Sequence, residues 1–245
     1  ESILAPMPEN LLTRALTSAR LRFTDPPMRA LIRTVRRQKL TYLSSQALTD
    51  LRDVARRLEQ QRAPGMIVEA GVALGGSAVV LARSKAAERP LRLYDVFGMI
   101  PPPSTGDGPD AHARYAEIAS GRSAGIQGDR YYGYEDGLLT KVQRNLERFD
   151  VDLARDHVRL CPGLFEDTLR IDEPVALAHI DCDWYESVML CLERITPHLV
   201  AGGALVIDDY RDWSGCKRAV DEFFAGRADE FRWTQRARLH IERRR

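Results

Sequence analysis

The chain has 245 residues, 44% of them hydrophobic, and sets 36 basic against 35 acidic side chains for a formal net charge of +1. That length suits one large α/β domain with a full core, and the charge balance argues against broad attraction to nucleic acid or to membrane surfaces. No apolar run approaches the roughly 20 residues of a membrane span, no secretory leader is visible, and the four cysteines (Cys161, Cys182, Cys191, Cys216) lack a CxxC pair and read as reduced core residues of a cytoplasmic protein.

Residues 1 to about 40 are rich in Arg and helical in tendency, with a break at Asp25-Pro26-Pro27. They lie outside any α/β repeat, so 1–43 is expected to be a helical extension that serves as a lid or as a contact in a homo-oligomer. Residues 44–245 then form the α/β domain. Ser44 and Ser45 can cap a helix that buries Leu48, Leu51, Ala55 and Leu58. Met66 to Glu69 reads as a strand, followed by a glycine turn, and Leu91 to Asp95 as a second strand.

Residues 98–137 break the alternation. They hold three consecutive prolines (Pro101 to Pro103), a tyrosine group (Tyr131, Tyr132, Tyr134) and a weak helical pattern from Ala111 to Ile118. A long insert of this kind in a compact domain reads as a lid. Beyond it, a helix is expected to bury Leu139, Val142, Leu146 and Phe149. Strands follow at Val158 to Leu160 and Val175 to Ile180, then a helix burying Val188, Leu192, Ile195 and Leu199. The strand Ala204 to Ile207 precedes a helix with Val220, Phe223 and Phe224. Phe231 to Trp233 and Leu239 to Ile241 alternate like a closing hairpin, and Arg236 to Arg245 reads as an exposed edge and frayed end. Strands alternating with helices predict a doubly wound, Rossmann-like parallel sheet.

Two groups of residues carry chemistry. The first is the loop Glu69-Ala70-Gly71-Val72-Ala73-Leu74-Gly75-Gly76-Ser77, between a strand and a helix. Ala73 stands where a dinucleotide fingerprint needs its second glycine, and no lysine-bearing phosphate cradle follows. Gly71 permits a tight turn, and Gly75 and Gly76 permit close approach of a ligand. Glu69 can attract the ammonium or sulfonium of S-adenosylmethionine. Asp95, ending the next strand, can accept hydrogen bonds from both hydroxyls of a ribose. The second group is Asp181, Asp183, Asp208 and Asp209, at the ends of two strands expected to be neighbours. Four carboxylates converging on one sheet edge make the oxygen-rich surroundings that Mg²⁺ or a similar divalent cation needs, and exceed what capping the helices after Tyr185 and Arg211 requires.

With these residues in view, the chain resembles the macrocin O-methyltransferase family. The similar segments are Val68 to Ser77, Tyr94 to Gly98, Arg144 to Leu169, His179 to Ser187 and Gly202 to Tyr210. The resemblance implies a class I methyltransferase sheet, S-adenosylmethionine as methyl donor, Mg²⁺, frequent homo-oligomers, and a sugar-containing small molecule of antibiotic biosynthesis as acceptor. A rhamnose-methylating relative from enediyne biosynthesis is a further likeness. By similarity, Asp181, Asp208 and Asp209 hold the metal and Asp183 is the general base, with the roles of Asp181 and Asp183 open to exchange. Gly163 and Phe165 join Glu69, Gly71, Gly75, Ser77 and Asp95 at the cofactor. The segment from Pro101 to Gly137 departs from the family's pattern, which leaves the acceptor open. The competing readings are an NAD-dependent oxidoreductase, which lacks the second glycine and a Tyr-x-x-x-Lys pair, and a catechol-type small-molecule O-methyltransferase.

Overall fold

The computed structural model describes residues 25–244; the expected extension lies partly outside these, in residues 1–24. Among the described residues, eight helices and seven strands follow in order: α1 (Pro26–Arg37), α2 (Ser45–Gln60), β1 (Met66–Ala70), α3 (Gly76–Ala82), β2 (Leu91–Asp95), α4 (Pro109–Ala119), α5 (Leu138–Arg148), β3 (Val158–Pro162), α6 (Phe165–Thr168), β4 (Val175–Ile180), α7 (Tyr185–Ile195), β5 (Leu199–Ile207), α8 (Ser214–Phe223), β6 (Phe231–Gln235) and β7 (Leu239–Arg243). The strands form one sheet in the order β3-β2-β1-β4-β5-β7-β6. β1 to β5 are parallel, while β7 pairs antiparallel with both β5 and β6.

Alternation along the strands divides the core between two faces. Ile67, Leu91, Leu93 and Leu177 pack with Leu51, Val79, Leu138 and Val142 of α2, α3 and α5. Val68, Ala178 and Leu205 pack with Val188, Leu192, Cys216 and Val220 of α7 and α8. Covered on both sides, β1 and β4 are buried at every residue, as a parallel sheet between helical layers must be. Ser44 caps α2, its hydroxyl accepting from the Ala47 N–H at 3.1 Å, an interaction worth about 1 kcal/mol.

Four local expectations are corrected. Asp25-Pro26-Pro27 starts a helix: Asp25 is the N-cap of α1, accepting from the Met28 N–H, and the prolines fill the first turn, where their missing N–H costs nothing. α1 then buries Met28, Ile32 and Val35. In α5 it is Leu138 that is fully buried, with Leu139 and Phe149 only half-buried at the margin. Leu199 opens β5 and does not extend α7, because Thr196-Pro197-His198 forms a 3₁₀ turn between them. The Arg-rich tail is no edge: β7 lies inside the sheet with His240 and Ile241 buried, and β6 is the edge strand.

β1 pairs with β2 on one side and β4 on the other. The chain winds one way from β1 through β2 and β3 and the other way through β4 and β5. The carboxyl ends of β1 and β4 therefore flank the switch point, where open α/β sheets leave a crevice for ligands.

Candidate active site

The glycine turn closes the floor of that crevice. Gly71 has φ +89°, and a Cβ there would lie 1.8 Å from the Asp181 carbonyl oxygen. Only glycine lets the end of β1 come this close to the end of β4. Gly75 takes φ +87° as the N-cap of α3. Gly76 donates its N–H to the Leu40 carbonyl at 3.0 Å, and a Cβ on it would meet that carbonyl at 2.5 Å. The close approach expected of a ligand at Gly75 and Gly76 is thus made, at Gly76, by the segment before α2. Ser77 is buried and lines the crevice together with Gly71, Val72 and Ala73.

The two acids of this half are already engaged. Glu69 stands opposite His179 in the β1–β4 register, and in parallel strands such residues share a face. Its carboxylate is fully buried, and its Oε1 accepts from His179 Nδ1 at 2.8 Å. It does not line the crevice, which corrects the expectation that it faces a ligand's cation. Asp95 accepts from the N–H groups of Val72 (2.7 Å), Ala73 (3.0 Å) and Phe97 (2.6 Å). It staples the glycine turn to the end of β2 while still lining the crevice. Burial raises its pKa, and these three N–H groups pull it back.

The acids after β4 and β5 differ. Asp208 and Asp209 are 6% and 5% exposed, and Asp181 and Asp183 are half-buried beside them. Ligand atoms of His179, Asp181 and Asp208 lie within 4.8 Å of one another, as do those of Asp208, Asp209 and Asp212. Asp183 adopts φ +62°, a left-handed conformation that Asp tolerates but that costs energy. Its N–H donates to Asp209 Oδ2 at 3.1 Å, and the Trp184 N–H returns to the Cys182 carbonyl at 2.7 Å. Burial and mutual repulsion push the carboxyls of Asp181 and Asp209 well up. Burial raises that of Asp183 to about 6, against a hydrogen bond with Trp213. Beneath them, burial would lower the His179 pKa, but the Asp208 and Glu69 carboxylates hold it up, at about 10.

These acids do not cap the helices that follow them. The α7 N-terminus is capped from the insert, where Asp107 Oδ1 accepts from the Tyr185 N–H at 2.7 Å. Likewise Asp110 Oδ2 accepts from the Ser214 N–H at the start of α8 at 2.8 Å. The Trp184 indole donates to the Pro101 carbonyl at 2.9 Å. The insert is thereby stitched across the crevice, and the helical pattern expected from Ala111 to Ile118 lies within α4. Tyr131 is buried against Tyr132 and Tyr134 at ring distances of 4.6 and 5.1 Å. His112 is exposed and bonds to the Ser104 carbonyl at 3.1 Å.

The crevice divides into two adjoining cavities. The first is largely apolar, between Gly71, Asp95, Ile100, Pro101, Leu164 and Phe165; Gly163, at φ +134°, turns the chain into it without lining it. The second is walled by Tyr42, Tyr131, Trp213, Arg114 and the acids Asp208, Asp209 and Asp212. Gly71, Asp95, Tyr132, Asp181, Asp183 and Trp184 border both. Four of the residues here escaped sequence reasoning. Asp212 and Trp213 follow the second acid pair without a motif of their own. Tyr42 precedes the domain's first helix. Arg238 was hidden in the basic tail, yet its Nε lies 2.7 Å from Asp208 Oδ1.

Five parallel strands with β7 inserted before β6, a glycine turn after β1 and an acid closing β2 define the Rossmann-like class I methyltransferase fold. The macrocin-O-methyltransferase (TylF) family model matches residues 10–230, and the chain belongs to that family of S-adenosylmethionine-dependent O-methyltransferases. It is 29% identical over 191 residues to the demethyldecarbamoylnovobiocin O-methyltransferase of Streptomyces niveus, covering 76% of this chain and 68% of that one. It is 34% identical over 167 residues to the 8-demethyl-8-(2,3-dimethoxy-alpha-L-rhamnosyl)-tetracenomycin-C 4'-O-methyltransferase of Streptomyces olivaceus, covering 65% of this chain and 58% of the relative's length. Among solved structures, the O-methyltransferase NovP superposes with a TM-score of 0.68 at 27% identity, over 84% of this chain and 83% of its own. The calicheamicin methyltransferase CalS11 shares the fold, with a TM-score of 0.64 at 20% identity over 98% and 94% of the two chains. No helix among the described residues is long and apolar enough to cross a membrane.

Proposed function

We propose that this enzyme methylates a hydroxyl of a sugar carried by a natural product, with S-adenosylmethionine in the first cavity, the acceptor in the second, and a divalent cation such as Mg²⁺ between them. The observation that carries the reading is the meeting of the two cavities at Asp181 and Asp183. The name of the Streptomyces olivaceus relative, which specifies a rhamnosyl group on tetracenomycin C, supports the acceptor class.

The residues present fit the cation. Asp181, Asp208 and Asp209 offer an all-oxygen donor set, and their helices are capped by other acids. His179 Nε2 is buried without a hydrogen-bond partner, 3.9 Å from Asp208 Oδ1, an oxygen whose near neighbour is the charge of Arg238 at 2.7 Å. Asp181, Asp208 and Asp209 would hold the ion, and its chemistry there is to lower the pKa of an alcohol that is otherwise a poor nucleophile. Asp183 takes the proton, and its ring of like charges favours that transfer. The alcohol oxygen then attacks the methyl carbon in line as the carbon–sulfur bond breaks. Trp184 and Tyr132, at the junction, hold donor and acceptor in register and exclude water. Asp95 and Gly71 receive the nucleoside end of the donor, and Phe165 packs against it. Glu69 acts from below, by fixing His179.

The test is methyl transfer from labelled S-adenosylmethionine to a panel of neutral glycosides and a panel of catechols. Transfer to glycosides, abolished by a chelator and restored by Mg²⁺, is expected. Preference for catechols would replace the acceptor class, and indifference to the chelator would remove the cation.

A further inference from the structure

We infer that Arg238 is a positioning residue of the acidic centre, a guanidinium supplied by the β6–β7 hairpin that orients Asp208 toward the bound cation. This rests on the cation reading above. Arg238 lies outside residues 10–230, the stretch that the family model matches.

The geometry is specific. Arg238 sits in the turn between β6 and β7, its carbonyl accepting the Arg236 N–H at 2.9 Å to close the turn. Its Nε lies 2.7 Å from Asp208 Oδ1, and its Nη1 donates to Asp212 Oδ2 at 2.6 Å. The side chain is 22% exposed and that of Asp208 is 7%. One planar fork thus grips two carboxylates, a task lysine's single ammonium performs poorly. Because β7 pairs with β5 (Leu239 opposite Ile207), the hairpin sets Arg238 directly beside the end of β5, where Asp208 begins.

The consequence is both steric and electrostatic. With Oδ1 drawn to Arg238, the Asp208 side chain is fixed in one rotamer before an ion arrives, and Asp208 would hold the ion from that orientation. Arg238 also offsets repulsion among Asp208, Asp209 and Asp212, which would otherwise drive these side chains apart. Partners of this kind behind a metal ligand are worth about 10- to 100-fold in metal affinity.

The experiment is titration calorimetry of Mg²⁺ into the full chain, with S-adenosylmethionine titrated in parallel. Arg238→Gln should weaken Mg²⁺ binding about tenfold and leave S-adenosylmethionine binding within twofold. Arg238→Lys should recover part of the loss. Asp212→Asn, which frees the outer end of the guanidinium, should cost about threefold. If wild type binds Mg²⁺ and Arg238→Gln binds it as tightly or more tightly, the inference falls and the cation reading stands. If wild type binds none, both fall. Equal weakening for Mg²⁺ and S-adenosylmethionine would make Arg238 a general structural support and overturn the positioning role.

Discussion

Acids end the strands on both sides of the switch point, but the two sides use them in opposite ways. On the β1–β2 side, Asp95 is met by three backbone N–H groups and Glu69 by His179. Asp95 is satisfied at both oxygens, Glu69 at Oε1 only, and both hold the shape of the protein. On the β4–β5 side, Asp181, Asp183, Asp208 and Asp209 face mainly one another, with His179 below and Arg238 at the margin. Repulsion among them is retained, and residues from the insert cap α7 and α8 in their stead. The contrast separates acids that serve the fold from acids held ready for a ligand.

The sharpest way to break that contrast is to neutralise one acid on each side. Asp183→Asn should slow methyl transfer by about 10³-fold, on the scale of a lost general base, with S-adenosylmethionine affinity unchanged within a few-fold. The same substitution removes a crowded negative charge, so in chelator the variant should melt at a higher temperature than wild type, gaining on the order of 1 kcal/mol. Asp95→Ala should do the reverse. It strands the N–H groups of Val72, Ala73 and Phe97 and should destabilise the protein by about 3 kcal/mol, as read by urea denaturation. If Asp183→Asn melts lower and Asp95→Ala is neutral, the division between the two sides is wrong.

The same division governs what the sequence disclosed. Strands β1, β2 and β4 were legible because a buried parallel strand is a short apolar run with a turn signal after it, and the acids were legible because they come immediately after such runs. Their partners were not. Whether Asp95 faces a ribose or three N–H groups depends on how the Gly71 turn folds back, which no spacing reveals. The position of Glu69 before the glycine loop points to a ligand, but the β1–β4 register turns it toward His179. Asp107 and Asp110 reach α7 and α8 across 78 and 104 residues, and Arg238 reaches Asp208 through a hairpin that inserts β7 inside the sheet. Contacts of that separation are set by topology, and the expectation of a frayed basic end followed from treating the last strand as an edge.

A pH titration sharpens the comparison with two buried histidines. His179, between Glu69 and Asp208, is held protonated. His240 on β7 is 1% exposed, and neither ring nitrogen has a hydrogen-bond partner. Burial, with help from the charges of Arg236 and Arg57, lowers its pKa to about 3 from 6.5. The unfolded chain therefore binds a proton at His240 that the folded one refuses. Stability from this group is complete above pH 6.5 and is lost as the pH falls toward 3, by up to about 1.4 kcal/mol per unit. His240→Leu should flatten that part of the acid-denaturation curve. An unchanged slope between pH 6 and 4 would mean that His240 finds a proton acceptor in the fold.

The smallest effect tests how firmly the Asp95 staple determines its loop. Ala73 sits at φ +48°, in the left-handed region that costs a residue with a Cβ about 1–2 kcal/mol, while its N–H donates to Asp95 Oδ2 at 3.0 Å. Ala73→Gly relieves that strain but adds freedom to the unfolded chain worth roughly 0.4–1 kcal/mol. The two nearly cancel, and a net gain of about 0.5 kcal/mol is expected, measured as a small rise in the urea midpoint. In an Asp95→Asn background the balance should shift. A weakened acceptor no longer holds the turn, so the strained conformation at Ala73 relaxes and the benefit of glycine shrinks toward zero. If Ala73→Gly gains equally in both backgrounds, the turn is shaped by Gly71 and its contact with β4 alone, and Asp95 is freer to meet a ligand than its three hydrogen bonds imply.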